Sequence, residues 1–350
     1  MLTVVIFFVV LSVLILAHEF GHFWLAKRAG AKVEEFGLGF PPRLIKWRRG
    51  ETLYSINLIL FGGFVKIFGE DAADIKEPGS FGLLSISKRA QVIAAGVIMN
   101  FILAAVLIMI VAGLGRPTII NESNKALARD ISIYILDVSA GSPAETSGLK
   151  VGDKIVGYTT VEDFQRFIEE NRGKKINLSV ERGGEPRILQ LTPRRDIPEG
   201  EGPLGISLAQ VGIVSSPWWR APWDGLVSAV NLTIAIAVAI VQLLAGVVTG
   251  QSVVANLAGP VGIASLTGEA ARLGIVYLLQ FTALLSINLA ILNILPFPAL
   301  DGGRLVFLLY EKFRGRPANK EFEHAVNMVG FALLILLLVW VTWQDILRIF

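Results

Sequence analysis

The chain has 350 residues, of which 53% are hydrophobic and 17% are charged, and its formal net charge is +3. This composition is too apolar for an ordinary soluble protein and too nearly neutral for a nucleic-acid-binding one, so it indicates a membrane protein. Cysteine is absent, which excludes disulfides and thiolate metal sites. A transition metal would need histidine and carboxylate ligands, and the chain has only three histidines.

Five apolar runs approach the length needed to cross about 30 Å of hydrocarbon. They are Leu2–Ala26, Ala90–Leu114, Leu226–Val248, Ile275–Leu295 and Val326–Val341. The first run lacks the basic start of a signal peptide and carries His18, Glu19 and His22 in its second half. We therefore interpret it as a retained membrane helix.

The segment between the first two runs, Lys27–Arg89, is polar and basic. It contains two glycine-rich stretches, Phe36–Pro42 (FGLGFPP) and Leu60–Phe68 (LFGGFVKIF). Glycines flanked by residues that favour β-structure predict short strands or a hairpin lying against the membrane rather than a helix.

Charges return between about Ala126 and Ala209, where the pattern predicts a small α+β domain. A strand is predicted at Ile131–Val138, and a helix is predicted from its N-cap Thr160 to Gly173, with Phe164, Phe167 and Ile168 on one face. Alternating residues from Ile176 to Val180 and the run Ile188–Leu191 predict a hairpin around Gly183 and Gly184. The predicted turn and cap residues before the helix are Gly141, Pro143, Gly148, Gly152 and Asp153.

The first apolar run contains the motif HExxH, His18 to His22. On a helix, residues i and i+4 share one face, so both imidazoles can reach one metal ion, and Glu19 between them can deprotonate a water molecule. Charged and polar residues in an apolar span cost several kcal/mol unless they are paired or bind a ligand. The motif therefore predicts a metal site, with Zn²⁺ preferred for this donor set.

A catalytic zinc site needs a third protein ligand. His324 lies in a charged stretch, and we interpret it as a solvated loop histidine. Asp301 follows an apolar helix within Asn293–Gly303 (NILPFPALDGG), where proline and glycine fix an irregular backbone. Such backbone is tolerated at membrane depth only where protein or a water-filled cavity covers it. Asp301 is the predicted third ligand; a helix-capping or turn carboxylate is the alternative.

The HExxH motif, GGFVK at Gly62–Lys66 and NxxPxPxLDGG at Asn293–Gly303 resemble those of the site-2 protease family of intramembrane metalloproteases, in its bacterial RseP-type branch. Gly141–Asp153 resembles part of a PDZ domain of the bacterial protease kind. The tripeptide Leu204, Gly205 and Ile206 is similar to a PDZ carboxylate-binding loop. The resemblance implies an intramembrane zinc metalloendopeptidase that cleaves single-span membrane proteins, such as an anti-sigma factor or a remnant signal peptide, in regulated intramembrane proteolysis.

Roles for the remaining site residues follow as hypotheses. Gly62, Gly63 and Phe64 could form an edge strand to which an unwound substrate adds, or they could be part of a structural hairpin. Asn293 could hold the substrate backbone or the oxyanion, or it could make an interhelical hydrogen bond. The PDZ-like domain would act as a size filter or as a reader of peptide or protein C-termini.

Charge distribution predicts the topology. Lys27–Arg89 holds eleven Lys or Arg residues and Arg304–Lys320 holds five, so the side shared by the HExxH motif and Asp301 is predicted to be the cytoplasm. Residues 115–274 must then begin and end outside. Leu226–Val248 is accordingly predicted to lie along the membrane, to re-enter it, or to pair with a second partial insertion near Val253–Leu266.

The predicted fold is a polytopic α-helical protein of the bacterial inner membrane with about four spanning helices, a membrane-associated β-hairpin region and an inserted α+β PDZ domain on the external side. The predicted segments are 1–125 and 275–350 for the two membrane parts, 126–209 for the PDZ domain, and 210–274 for a membrane-associated region. The alternatives are an inactive membrane PDZ scaffold or metal-binding protein, and a zinc transporter, which would need polar residues spread over several spans. No nucleic-acid partner is expected.

Overall fold

The computed structural model describes residues 2–70, 77–122, 124–198, 200–249 and 258–349. The chain forms two compact units, one made of Met1–Ile110 together with Pro222–Phe350, and one made of Val111–Ala221. The predicted PDZ segment, 126–209, falls within the second unit.

The elements along the described residues are as follows. The helices are α1 (Leu2–Ala29), α2 (Ile86–Leu114), α3 (Pro143–Thr146), α4 (Val161–Glu170), α5 (Ala221–Val248), α6 (Pro260–Leu273), α7 (Ile275–Ile294), α8 (Asp301–Arg314) and α9 (Lys320–Ile349). The strands are β1 (Val33–Arg49), β2 (Thr52–Ile67), β3 (Arg116–Ile119), β4 (Ala128–Val138), β5 (Lys154–Ile155), β6 (Ile176–Arg182), β7 (Glu185–Leu191) and β8 (Ile206–Val214).

Among the described residues, five helices are long and apolar enough to cross a membrane: α1, α2, α5, α7 and α9. They coincide with the five apolar runs of the sequence, and the number that actually cross stays a prediction. Helix α5 is continuous over 28 residues. Part of the predicted second insertion, residues 253–257, lies outside the described residues. The rest falls mainly in α6, which at 14 residues is about 21 Å long, too short to cross.

Small residues let the helices of the first unit pack closely. Ala104 of α2, Ala229 of α5 and Ala283 of α7 are fully buried in one cluster with Ile287. Helix α6 is tied to α9 by Asp345, whose two carboxylate oxygens accept hydrogen bonds from the backbone amides of Gly259 (3.1 Å) and Gly262 (2.7 Å). This buried carboxylate satisfies the amide groups at the start of α6 that have no partner within the helix.

Strands β1 and β2 form an antiparallel hairpin, which confirms the predicted β-structure, although the strands are longer than expected. From Arg49 and Thr52 the pairing continues to Arg43 and Asn57. Beyond several register shifts, residues 35–38 pair with 53–56, and the segment 33–38 also pairs with 63–67 on its other side. The hairpin is therefore folded over on itself. Among the described residues, no strand pairs with the outer edge of the segment 63–67.

A buried polar network holds the two halves of this hairpin together. Glu35 accepts hydrogen bonds from Arg43 Nε (3.0 Å) and Nη2 (2.6 Å) and from Ser55 Oγ (2.7 Å). Burial raises the pKa of the Glu35 carboxyl, but the hydrogen bonds from Arg43 and Ser55 outweigh it and hold that pKa below its usual value. The network ties the start of β1 to Arg43 of the same strand and to Ser55 of β2.

The second unit is a six-stranded sheet in the order β3-β8-β4-β5-β6-β7, covered by α4. Helix α4 begins as predicted, because the Thr160 hydroxyl accepts a hydrogen bond from the Asp163 amide. Phe164 and Ile168 are buried against the sheet. The prediction of Gly173 as the end was wrong: α4 ends at Glu170 with Asn171 as its C-cap, where the side-chain amide donates to Phe167 O.

An ion pair is buried in the same unit. Asp153 has no exposed surface and receives hydrogen bonds from Arg182 Nε (2.6 Å) and Nη2 (2.7 Å) and from the Lys150 amide (2.9 Å). Burial raises the pKa of the Asp153 carboxyl, but the bonds from Arg182 and Lys150 outweigh it and leave that pKa lowered. The predicted turn at Gly152 and Asp153 thus carries a structural contact.

Candidate metal centre

Three side chains meet between α1 and α8. His18 and His22 lie one turn apart on α1, and their Nε2 atoms are 3.2 Å apart. Asp301 is the first residue of α8, and its Oδ2 lies 3.2 Å from His18 Nε2 and 3.4 Å from His22 Nε2. Among the described residues, these three form the group of side chains able to hold one metal ion.

The arrangement fits a tetrahedral metal ion. Donor atoms that each lie about 2.1 Å from a tetrahedral zinc ion are about 3.4 Å apart, close to the three separations given above. Oδ2 of Asp301 is buried and has no hydrogen-bond partner among the described residues. A buried carboxylate oxygen without a hydrogen bond is costly, and a metal ion bound at this point would satisfy it.

Two glycines allow α2 to approach the histidines. A Cβ atom on Gly21 of α1 would lie closer than 3.0 Å to the carbonyl of Ala95 in α2. A Cβ atom on Gly96 would lie closer than 3.0 Å to the rings of both His18 and His22. The two helices therefore cross at a point where a side chain on either glycine would displace the backbone or the imidazoles.

The LDGG motif shapes the start of α8 in the same way. Cβ atoms on Gly302 and Gly303 would clash with the carbonyls of Leu295 and Phe297, which belong to the turn that follows α7. The missing side chains let α8 fold back tightly against that turn. Asp301 is thereby held at a helix start, where the sequence predicted only an irregular backbone.

Outer partners of the imidazoles come from α2. His22 Nδ1 lies 2.9 Å from the carbonyl oxygen of Val92, and His18 Nδ1 lies 3.3 Å from the side-chain amide of Asn100. Sequence reasoning gave neither residue a role. An asparagine inside an otherwise apolar helix is the one feature of the sequence that could have drawn attention to Asn100.

Glu19 lies beside the hairpin. A Cβ atom on Gly63 would be 3.2 Å from Glu19 Cγ, so β2 runs directly past the side chain predicted to be the base. The neighbouring Gly62 has φ +151°, and the ring of Phe64 stacks on Phe40 at a centroid distance of 6.4 Å. The three residues predicted for substrate binding thus lie on the outermost segment of the hairpin.

Two other predicted residues take different positions. Asn293 is half-buried in the last turn of α7, and none of the hydrogen bonds among the described residues involves its side chain. His324 is exposed in the first part of α9 and takes no part in the centre. The prediction of a loop for His324 was wrong in its secondary structure, because the helix begins at Lys320.

Leu204, Gly205 and Ile206 lie in the second unit. Leu204 is buried, Gly205 has φ +69°, and β8 begins at Ile206. Leu204 and Ile206 line a cleft of about 440 Å³ between α4 and β8, to which Phe164, Ile168 and Leu208 contribute apolar side chains. The first half of β8 pairs with β4 on one side, whereas β3 pairs only with Val211–Val214.

Comparisons with known proteins agree with this centre. The profile of peptidase family M50 matches residues 6–337. The chain is 32% identical to the regulator of sigma-W protease RasP of Bacillus subtilis, over 99% of each chain. It is 30% identical to the zinc metalloprotease RasP of Oceanobacillus iheyensis, over 100% of each chain, and 30% identical to the regulator of sigma-E protease RseP of Escherichia coli, over 98% of each chain.

The peptidase family M50 profile matches most of the chain, and the chain is similar over its full length to one zinc metalloprotease and two further proteases. The cluster of two histidines and one aspartate agrees with these matches. The chain therefore belongs to peptidase family M50, the site-2 protease family, and is an intramembrane zinc metalloprotease.

Proposed function

We propose that His18, His22 and Asp301 hold the catalytic Zn²⁺ and that Glu19 is the general base. The convergence of the two Nε2 atoms and Oδ2 carries this proposal. Zinc in such a site supplies Lewis acidity to a water molecule and to the scissile carbonyl. Glu19 takes a proton from the attacking water while the water oxygen forms a bond to the carbonyl carbon. Glu19 then passes this proton to the nitrogen of the scissile bond when the C–N bond breaks.

The edge segment of β2 is suited to present the substrate. A peptide bond inside a helix is shielded by the surrounding side chains, so the substrate must be extended before cleavage. An extended chain can then add to a free strand edge. Residues 63–67 offer such an edge, and Gly63 lies against Glu19. The missing side chains at Gly62 and Gly63 let this segment pack closely against Phe40 and Ile15. A purely structural hairpin is the alternative.

Asn293 is proposed to hold the substrate backbone or the oxyanion. Its side chain is half-buried at the end of α7, eight residues before Asp301, and no hydrogen bond within the described residues occupies it. An amide with free hydrogen-bonding capacity near the ligand helix can donate to a developing negative charge. An interhelical hydrogen bond is the competing explanation.

The proposed substrates are single-span membrane proteins. One relative is named the regulator of sigma-W protease RasP, and another is named the regulator of sigma-E protease RseP. We propose that this chain likewise acts in regulated intramembrane proteolysis, with an anti-sigma factor or a remnant signal peptide as substrate. The lipid bilayer is then the medium in which substrate and enzyme meet.

The segment 126–209 is proposed to be a PDZ domain. The cleft between α4 and the open side of β8 could take an extended peptide or a protein C-terminus, with Leu204, Gly205 and Ile206 at its end. A strand edge beside a helix is the geometry by which PDZ domains bind peptides. The domain would act as a size filter or as a peptide reader.

We propose a location in the bacterial inner membrane, with four crossings, the PDZ segment outside and the metal centre toward the cytoplasm. The basic residues of Lys27–Arg89 and Arg304–Lys320 support this orientation. Trp218, Trp219 and Trp223 are largely exposed around the start of α5, as aromatic residues at a membrane–water interface would be. A cysteine-accessibility reporter placed after Gly250 that reported cytoplasm would contradict this topology.

The central test compares purified, detergent-solubilised wild type, Glu19→Gln and Asp301→Ala on a single-span reporter substrate, with bound zinc quantified. Both variants should lose cleavage, but Glu19→Gln should retain zinc and Asp301→Ala should lose it. His324→Ala is the matched control, since this exposed histidine should affect neither property. Cleavage by Glu19→Gln would contradict the assigned base. Zinc binding by a wild type that cleaves no reporter would favour a metal-binding PDZ scaffold.

A further inference from the structure

The inference concerns Asn100 of α2 and rests on the metal centre proposed above. Asn100 is completely buried in an apolar helix, where an amide is unfavourable unless it is hydrogen-bonded. Its side-chain nitrogen lies 3.3 Å from His18 Nδ1, whereas its side-chain oxygen has no partner among the described residues. Its backbone carbonyl separately accepts a hydrogen bond from Ser286 Oγ at 2.8 Å.

His22 shows what a ligand imidazole requires. The Val92 carbonyl, 2.9 Å from His22 Nδ1, can only accept a hydrogen bond. Nδ1 of His22 must therefore carry the proton, and in a neutral ring this leaves the lone pair on Nε2. That nitrogen faces Asp301 Oδ2, so the backbone of α2 sets this ring in the tautomer that can bind a metal.

His18 has the same requirement but a different neighbour. Its Nε2 faces the same point, 3.2 Å from His22 Nε2 and 3.2 Å from Asp301 Oδ2. A lone pair on Nε2 demands a proton on Nδ1, and that proton needs an acceptor. An amide nitrogen cannot accept a hydrogen bond, but a 180° rotation of the terminal amide of Asn100 exchanges its nitrogen for its oxygen at the same place.

We infer that Asn100 is a positioning residue of the metal centre: its side-chain oxygen accepts the Nδ1 proton of His18 and so fixes the tautomer that turns Nε2 toward Asp301 and His22. The two ligand histidines are then oriented from one helix by two different acceptors, a backbone carbonyl for His22 and a side-chain amide for His18. Asn100 contacts Nδ1 of His18, not the Nε2 atom that would bind the metal.

The test measures zinc affinity of the full-length protein in detergent by competition with a chromogenic chelator. Asn100→Leu removes the acceptor and should weaken zinc binding by about 10- to 100-fold, the usual effect of losing an outer partner of a ligand histidine. Asn100→Asp supplies an oxygen at the same position and should bind within a few-fold of wild type. Ser286→Ala is the matched control, because it removes the other buried hydrogen bond of Asn100 and should leave zinc affinity unchanged.

Nitrogen NMR of histidine-labelled protein gives a second measurement that does not depend on activity. The chain has only three histidines, so the signals are few. Zinc-loaded wild type should show a protonated, slowly exchanging Nδ1 for both His18 and His22. In Asn100→Leu only the His18 proton should exchange faster, while His22 keeps its bond to Val92.

Unchanged zinc affinity in a folded Asn100→Leu protein, even with a lower melting temperature, would reduce Asn100 to a packing role and overturn the inference. A folded Asn100→Asp protein that binds zinc as weakly as Asn100→Leu would also overturn it. Failure of the wild type to bind zinc would instead remove the proposed metal centre, and this inference with it.

Discussion

The second unit and the metal centre each bury an aspartate, and the two carboxylates have opposite surroundings. Asp153 receives three hydrogen bonds and the charge of Arg182. Asp301 Oδ2 has no hydrogen bond among the described residues and faces two ring nitrogens. A buried carboxylate whose hydrogen bonds are satisfied stabilises a fold. A buried carboxylate that lacks hydrogen bonds and faces other metal-binding atoms indicates a metal ligand. Asp345, bonded to two backbone amides, resembles Asp153.

The sharpest test of this contrast is Asp301→Leu. The substitution should weaken zinc binding by more than about 100-fold, beyond the loss expected from an outer partner. The melting temperature of chelator-treated protein should change little, because the neighbours of Asp301 Oδ2 are the two imidazoles of the same centre rather than groups of the surrounding fold. Calorimetry and zinc titration of one preparation measure both. A melting temperature several degrees lower would show that Asp301 is structural.

Removing the partner of Asp153 should have the reverse effect. Arg182→Leu leaves a buried charge uncompensated and should lower the free energy of unfolding of the second unit by about 3–5 kcal/mol, with zinc affinity unchanged. Hydrogen exchange of β4 and β6 in the intact protein measures this loss. Arg187→Leu is the control, since its pair with Glu185 is exposed and such pairs contribute about 1 kcal/mol or less.

The same pair predicts a pH dependence. The folded-state pKa of Asp153 is lowered, so its contribution to stability is fully present above the unfolded-state pKa of about 3.9. It is lost as the pH falls through the lowered folded-state pKa. Exchange protection of β4 should therefore decline in acid, and Asp153→Asn should flatten that decline. An equally steep decline in Asp153→Asn would assign it to other groups.

Gly96→Ala should displace the histidines without removing a ligand. The added methyl group would meet both rings, and a displacement of about 1 Å can reduce the rate by about 100-fold, or about 2.7 kcal/mol. Reporter cleavage measures the effect. Gly113→Ala in the same helix is the control, because its Cβ would meet its nearest neighbour at an ordinary 3.8 Å. Equal activities for the two variants would contradict the close crossing.

The smallest expected effect is at the start of α4. Thr160→Ala removes the N-cap hydrogen bond to the Asp163 amide and should destabilise the helix by about 1 kcal/mol. Amide exchange in the first turn of α4 should accelerate while the metal centre is unaffected. Thr159→Ala, one residue earlier and outside the cap, should leave this exchange as it is.

Local patterns predicted much of this molecule. The HExxH spacing places both histidines on one face of α1, and the alternation at Ile176, Leu178 and Val180 matches a strand with one buried face. Capping chemistry predicted Thr160 correctly. These features depend on residues close together in sequence, where helix and strand periodicity directly fix which side chains share a face.

Features that depend on distant contacts were not predictable. Gly96 matters because α2 crosses α1 beside two imidazoles, and Asn100 because it reaches His18 across 82 positions of sequence. The double pairing of residues 35–38 arises from register shifts that strand propensity does not encode.

One local feature was also predicted wrongly. Asn171 replaces Gly173 as the helix cap because its side-chain amide reaches Phe167 O, and both residue types favour helix ends.

The metal centre joins the first helix of the chain to the eighth. During synthesis, His18 and His22 enter the membrane long before Asp301 leaves the ribosome. If His18, His22 and Asp301 hold the metal as proposed, a partly made chain has two of the three ligands but no complete metal site, and it would not cleave neighbouring proteins. Completion of the fold, which brings α1 and α8 together, would then be the step that creates the active centre.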